Sequence, residues 1–199
     1  MANIVLGVPT MGTVQAKTFE ALMKVKRGDN KMFTLMTEYS LVYMARDNIV
    51  KRMLENPEAD YLWFVDSDII PPSETLLALL SDDVDIVSAV YPYRTDKEDG
   101  IVGTSIDLVP YLPNDLIGYD ENGEPQAKML NSGRVGMGCC LIKRKVLEAV
   151  MDKYGTCFTP TQGLGEDYTF CELAKSLGFE IWLDGGVWCK HIGTKVYEV

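Results

Sequence analysis

Two aspartates, Asp66 and Asp68, stand at the end of an apolar stretch, YLWFVDSDII at Tyr61–Ile70. Its aromatic and β-branched residues, closed by Pro71 and Pro72, predict a buried strand in a sheet that is covered on both faces. Neighbouring carboxylates repel each other, and burial raises their pKa. A divalent cation removes both problems, because carboxylate oxygens suit Mg²⁺ or Mn²⁺. The alternative is that both aspartates only cap the following turn.

A second pair of acids, Glu166 and Asp167, opens a predicted helix at Glu166–Leu177. Asp167 shares one helix face with apolar residues, namely Phe170, Cys171, Ala174 and Leu177. This spacing directs Asp167 toward the interior and Glu166 roughly 100° away from it. An inward acid at this place is suited to act as a general base or to accept a substrate hydroxyl. The alternative is that both acids complement the helix dipole.

Three further positions have both a functional and a structural interpretation. His191, the single histidine, would favour Mn²⁺ if it joined the aspartate oxygens, or it makes a structural hydrogen bond. Arg46 lies near the apolar, inward-facing side of a predicted helix. Its guanidinium either contacts an anion or the edge of a nucleotide base, or it is solvated with its stem along apolar surface. Gly136 and Gly138, on either side of Met137, allow close approach of a ligand or form a bulged strand.

Alternating strands and helices predict the elements that must position these side chains. The predicted strands are Ile4–Val8, Phe33–Thr37, Tyr61–Ile70, Asp85–Tyr91, Glu180–Leu183 and Val187–Lys190. The predicted helices are Val14–Lys26, Ser40–Glu55 with Ser40 as its N-cap, Ser73–Leu80, Arg144–Lys153 and Glu166–Leu177. This order indicates an α/β sandwich around a mostly parallel sheet, in which ligands bind beyond the carboxyl ends of the strands. The charged segment Pro92–Gly103 predicts a mobile loop.

Composition limits the classes of function. The 199 residues predict one domain, 1–199, and 47% apolar with 24% charged residues is typical of globular proteins. The net charge of −10 argues against a nucleic-acid partner. We expect neither a membrane-spanning segment nor a signal peptide. Five cysteines without a C-x-x-C pair argue against a disulfide framework or a zinc site, and reduced thiols indicate a cytoplasmic protein.

Taken together, the chain resembles the GT-A family of nucleotide-sugar-dependent glycosyltransferases. The resemblance rests on five motifs whose order covers nearly the whole chain: VPTMG, LWFVDSDIIPP, GRVGMGCCLIKR, LGEDYTFCELAKSLGFEIWLD and CKHIG. It implies a GT-A-like three-layer α/β/α sandwich around a mostly parallel mixed sheet. It also implies a hexosyltransferase-type enzyme that moves a sugar from a nucleotide-diphosphate sugar, with UDP as the expected nucleotide, to an unknown acceptor hydroxyl.

The resemblance also implies roles for individual residues. Nucleotide contacts are implied for Pro9, Thr10, Arg46, Asp66 and Ser67. A site for Mn²⁺, or else Mg²⁺, is implied for Asp66, Asp68 and His191. Contacts with the donor sugar or acceptor are implied for Gly136, Met137 and Gly138, and a place beside the reacting centre for Glu166 and Asp167. The chain departs from larger family members in being short, without an obvious acceptor domain.

Other functions remain open. A phosphatase of the haloacid dehalogenase type also uses a strand-end D-x-D, but that pattern normally opens the chain and carries Thr or Val where Ile70 stands. A nucleotidyltransferase that makes sugar nucleotides shares the fold type, although VPTMGTVQAK fits its glycine-rich, lysine-containing loop only loosely. The non-catalytic alternative is a nucleotide-sugar or carbohydrate binding module with a vestigial metal site.

Overall fold

A computed structural model of the chain describes residues 1–94, 100–104, 106–161, 163–193 and 196–197. Within these ranges the helices are α1 (Ala16–Lys24), α2 (Val42–Leu54), α3 (Thr75–Ser81), α4 (Arg144–Tyr154) and α5 (Glu166–Ser176), with a 3₁₀ turn at Pro113–Leu116. The strands are β1 (Asn3–Thr10), β2 (Lys31–Glu38), β3 (Tyr61–Val65), β4 (Ile69–Ile70), β5 (Ile86–Val90), β6 (Gly103–Thr104), β7 (Ile117–Tyr119), β8 (Pro125–Ala127), β9 (Met129–Asn131), β10 (Arg134–Val135), β11 (Cys139–Lys143), β12 (Ile181–Trp188), β13 (Lys190–Ile192) and β14 (Val196–Tyr197).

The central sheet has the strand order β2-β1-β3-β11-β5-β12-β9. Strands β2, β1, β3, β5 and β12 share one direction, while β11 and β9 run against them. The sheet is therefore mixed and mostly parallel, as predicted. Because β11 lies between β3 and β5, the segment that precedes it reaches the carboxyl ends of both neighbours.

Helices cover both faces of this sheet, which is the predicted three-layer α/β/α arrangement. Along β3, Leu62 and Phe64 join a core with residues of α2, α4 and α5. The alternating Trp63 and Val65 join a second core with residues of α1 and α3. All four side chains are completely buried, which explains why the strand carries no polar alternation.

Several predicted elements differ from the observed ones. The strand predicted for Tyr61–Ile70 ends at Val65, because a turn in which Ile69 donates a backbone hydrogen bond to Asp66 separates β3 from β4. Ser40 does not cap α2: the N-cap is Leu41, without a side-chain hydrogen bond. The two last predicted strands belong to one bulged strand, β12, followed by β13.

The predicted mobile loop Pro92–Gly103 lies partly outside the described residues, which omit 95–99. Its described limbs pair with each other: Tyr93 donates a backbone hydrogen bond to Gly100, and Val102 to Tyr91. None of the helices in the described ranges has the length and apolar character needed to cross a lipid bilayer.

Candidate functional site

A cleft of about 580 Å³ opens beyond the carboxyl ends of β1, β3 and β5. Of the residues predicted for the site, those lining the cleft are Pro9, Thr10, Arg46, Asp66, Ser67, Asp68, Glu166, Asp167 and His191. They come from the ends of β1 and β3, from α2, from the start of α5 and from β13. This is the arrangement expected for an α/β sheet, because the carboxyl ends of its parallel strands lie at one edge and ligands bind there.

Asp68 and His191 lie next to each other in the lining of this cleft. The distance from His191 Nε2 to Asp68 Oδ1 is 3.6 Å, longer than a hydrogen bond. Pairing of β13 with β4, in the register His191 with Ile69, places the imidazole beside the turn. His191 Nδ1 lies 2.9 Å from the carbonyl oxygen of Pro92. Because a carbonyl oxygen only accepts, Nδ1 is the donor in this contact, and Nε2 is the ring nitrogen directed toward Asp68.

This pair matches part of a metal site. A histidine that binds metal usually donates its other N–H to a carbonyl or carboxylate, as His191 does to Pro92. Mn²⁺ or Mg²⁺ is often held by one or two protein ligands, with substrate phosphates and water completing the shell. Among the described residues, no group of three His, Cys, Asp or Glu side chains stands close enough to hold a metal ion alone. Asp68 and His191 offer two possible ligands, so a cation held by them needs its further ligands from a bound molecule or from water.

Arg94, from the segment after β5, also binds Asp68. Its Nη1 lies 2.7 Å from Asp68 Oδ2, and its side chain is 54% exposed. Burial raises the pKa of the Asp68 carboxyl, but His191 and Arg94 outweigh that effect and hold its pKa below the ordinary value. Asp68 is therefore ionised at neutral pH, with Oδ2 bound to Arg94 and Oδ1 directed toward His191.

Asp66 faces a different partner. Both of its oxygens accept hydrogen bonds from Arg46 Nη2, at 2.7 and 2.9 Å, and Arg46 Nη1 donates to Glu166. The two aspartates of the D-x-D thus have different partners, since Asp66 binds Arg46 whereas Asp68 binds Arg94 and faces His191. Among the described residues, Asp66, Asp68 and His191 do not form a group of three that could hold a metal ion, and the metal-ligand role implied for Asp66 stays a prediction.

Arg46 is the buried cation of the site. Its side chain is 4% exposed, and its guanidinium lies 5.9 Å from the centre of the Phe64 ring. Burial lowers the pKa of Arg46, but Asp66 and Glu166 more than compensate and raise it. The interpretation of Arg46 as a solvated side chain is therefore wrong.

Asp167 lies at the first turn of α5 with its carboxyl toward the cleft. Behind it on the same helix, Phe170, Cys171 and Ala174 are fully buried, as the spacing predicts. Desolvation raises the pKa of Asp167 to about 6, although Arg46 opposes the shift. A carboxyl whose pKa lies near neutral is suited to accept a proton.

Gly136, Met137 and Gly138 are not among the residues that line the cleft. Met137 is fully buried, and the Gly138 N–H donates to Tyr91 Oη at 2.9 Å. A Cβ on Gly136 would lie 1.9 Å from Tyr91 Oη, and one on Gly138 would lie 2.8 Å from Tyr91 Cζ. The glycines allow close approach of a tyrosine rather than of a ligand, and Tyr91 stands between them and the cleft.

Sequence reasoning missed several residues of the cleft, chiefly Tyr39, Tyr91, Tyr93 and Arg94. Tyr91 directly follows β5, so the rule that parallel strands end at one edge could have identified it. Tyr93 and Tyr168 share a hydroxyl contact of 3.0 Å that joins the segment after β5 to α5. No sequence signal separates Arg94 from the charged residues that follow it.

Comparison with known proteins bears on the fold. No protein-family profile and no curated protein sequence matches the chain. Among solved structures, the chain is similar to A197 from STIV, with 20% identity, a TM-score of 0.65, and coverage of 97% of this chain and 86% of that one.

A second similar structure is GalNAc-T7, crystallised with UDP, GalNAc and Mn²⁺. The identity is 12% and the TM-score 0.61, and the match covers 100% of this chain but only 44% of that one. At such identities the likeness concerns the fold alone. The structural neighbours include GT-A glycosyltransferases, and the chain has a GT-A-like fold.

Proposed function

We propose that the protein is a metal-dependent glycosyltransferase that moves a sugar from a nucleotide-diphosphate sugar to an acceptor hydroxyl. The observation that carries the proposal is the pairing of Asp68 with a His191 whose Nδ1 is fixed on Pro92, in a cleft that also contains Asp167. UDP is the expected nucleotide, and the similarity in fold to GalNAc-T7, which was crystallised with UDP and Mn²⁺, supports that choice.

Asp68 and His191 are the proposed protein ligands of Mn²⁺, or else Mg²⁺. When bound, the ion supplies stabilisation for the negative charge that develops on the departing diphosphate. Arg94, already bound to Asp68 and largely exposed, is placed to donate to the same phosphates. The residues proposed to contact the nucleotide are Pro9, Thr10, Arg46, Asp66 and Ser67, which line the remaining wall.

Asp167 is the proposed proton acceptor if transfer inverts the anomeric centre. The acceptor hydroxyl must lose its proton as it attacks, and a buried carboxylate with a raised pKa accepts that proton readily. If transfer retains configuration, Asp167 instead binds the sugar or the acceptor. Glu166 holds Arg46, so its proposed part is to orient the guanidinium beside Asp167.

The test is calorimetric titration with UDP in the presence and absence of Mn²⁺. Asp68→Asn keeps the shape of the side chain but weakens its binding to cations, so we expect the Mn²⁺-dependent part of the UDP affinity to fall at least tenfold, about 1.4 kcal/mol. Asp152→Asn, an exposed position on α4, is the matched control and should behave as the native chain. Unchanged Mn²⁺-dependent affinity in Asp68→Asn contradicts the proposal.

Product analysis separates the rival functions. A glycosyltransferase consumes the nucleotide sugar and releases the nucleoside diphosphate, with slow hydrolysis to free sugar when no acceptor is present. A nucleotidyltransferase instead releases pyrophosphate while forming the sugar nucleotide. Binding without any turnover of the donor identifies a non-catalytic module.

A further inference from the structure

Strand β2 forms one edge of the central sheet, and its outer side is open. Lys31 donates its backbone N–H to Ala2, and Tyr39 donates to Thr10, so the odd-numbered residues direct their backbone groups toward β1. The even-numbered residues Met32, Thr34, Met36 and Glu38 therefore direct their N–H and C=O groups outward. Within the described part of the chain, no other backbone or side-chain group binds this outer side.

This edge lacks the usual protection against pairing. Its register with β1 runs without a bulge over eight residues, and it contains no proline. Phe33 is 49% exposed and Met36 is 45% exposed. The charged residues Lys31 and Glu38 stand only at its ends. A long, regular, apolar edge is a template for another strand.

The sequence of β2 matches itself when two copies pair antiparallel. If the two copies are related by a two-fold axis perpendicular to the sheet, each face of one sheet continues into the same face of the other. A residue on the axis then lies opposite its own copy, and every other residue lies opposite one that is an even number of positions away in the sequence. An axis at Thr34 places Met32 opposite Met36 of the partner subunit, and Phe33 opposite Leu35 of the partner subunit.

The neighbouring registers match poorly. With the axis at Leu35, Met32 faces a glutamate and Phe33 a threonine. With the axis at Phe33, Lys31 faces a leucine. Apolar pairs directly opposite each other stabilise a sheet, whereas charged and apolar residues opposite each other do not. With the axis at Thr34, the outward backbone groups of Met32, Thr34 and Met36 can hydrogen-bond to those of the other copy. Of the registers compared, it alone also places apolar residues opposite each other on both faces of the sheet.

We infer that β2 is a homodimer interface, in which two copies of the chain join their sheets antiparallel about an axis through Thr34. Exposed apolar side chains continue beside the edge at Leu41, the N-cap of α2, and at Met44 in its first turn. The Thr37 hydroxyl joins β2 to α2 because it donates a hydrogen bond to the Ala45 carbonyl. Because the joined strands run in opposite directions, the two clefts open at opposite ends of the shared sheet. The described residues that line each cleft all come from one subunit, and the edge strand takes no part in the proposed chemistry, so the inference is independent of the proposed function.

The first test compares Thr34→Pro with Thr34→Val by sedimentation or light scattering over a concentration series. Proline removes the outward N–H of Thr34 without removing a hydrogen bond to β1, as tolerated on edge strands. The native chain and Thr34→Val should be dimers, whereas Thr34→Pro should be a folded monomer by circular dichroism. A native chain that stays monomeric throughout, or a folded Thr34→Pro variant that dimerises like Thr34→Val, overturns the inference.

The second test fixes the register by cross-linking. The native cysteines are at most 3% exposed, so Thr34→Cys introduces the accessible thiol. Residues opposite each other in a hydrogen-bonded antiparallel pair have Cα atoms about 5.5 Å apart, within reach of a short bismaleimide. We expect covalent dimers from Thr34→Cys and none from Lys153→Cys on α4. Equal cross-linking of the two variants, or none from Thr34→Cys, overturns the inference.

Discussion

At the scale of single residues, Arg46 determines the charge balance of the cleft. Its guanidinium binds Asp66 and Glu166 directly, and it opposes the rise in the pKa of Asp167. Removing one partner of such a buried network leaves the other charges uncompensated. Arg46 is thus the cation that the acids of this part of the cleft share, and desolvation raises the pKa of Asp167 beside it to about 6.

Asp167→Asn should stabilise the cation-free protein at neutral pH. The native-state pKa of about 6 lies above the ordinary value of 3.8, so the native state binds this proton more tightly than the unfolded chain. The resulting stability is fully present below pH 3.8 and is lost as pH rises through about 6. Replacing the ionised carboxyl should recover at most about 3 kcal/mol above pH 7, and nothing near pH 3.5.

Urea denaturation at several pH values measures this effect, with Asp152→Asn as the control. A gain for Asp167→Asn that is the same at every pH would disprove the assignment to ionisation. If Asp167 accepts the acceptor proton, the native rate should also rise with pH through about 6 to a plateau, and Asp167→Asn should lose most activity although it is more stable.

At the scale of elements, the segment before β11 connects the strand ends that line the cleft. Asp66 donates its backbone N–H to the Gly138 carbonyl, and Gly138 donates its own to Tyr91. This chain of bonds links the end of β3 to the end of β5 across the antiparallel strand between them. The missing side chains at Gly136 and Gly138 leave room for the Tyr91 ring.

Gly136→Ala should therefore destabilise the protein by roughly 1–3 kcal/mol or more, because the added Cβ overlaps Tyr91 Oη. Gly118→Ala is the control, since the nearest atom to its Cβ would be 3.8 Å away. Tyr91→Phe removes the atom of closest contact, so the double variant should lose less stability than the sum of the two single ones. Strict additivity in thermal unfolding would contradict the packing role of these glycines.

At the scale of the whole molecule, the mixed sheet ends in two unlike edges. The edge strand β9 has three residues, whereas β2 has eight. Pairing through β2 would couple the stability of each subunit to protein concentration.

The thermal midpoint of the native chain should rise by about 1–3 °C for each tenfold increase in protein concentration. Thr34→Pro should show no such dependence, because its edge cannot pair. Differential scanning calorimetry over a hundredfold range of concentration measures both. A concentration-dependent midpoint in Thr34→Pro would place the contact elsewhere on the surface.

The sequence by itself determined the positions of the five helices and of most strands of the central sheet, and the chemistry available at their ends. Uninterrupted apolar residues identified β3, helical spacing placed Asp167 above Phe170, Cys171 and Ala174, and Gly178 follows α5 with a φ of 86°. These features depend on neighbours within a few positions, which a local pattern records.

Only the tertiary structure decided which distant residues meet. Arg46 reaches Glu166 across 120 positions, His191 meets Asp68 through the pairing of β13 with β4, and Tyr91 occupies the space beside Gly136. The insertion of β11 between β3 and β5 creates several of these contacts. Strand order results from long-range packing of both faces of the sheet, and the periodicity of a single segment contains no information about its neighbours in space.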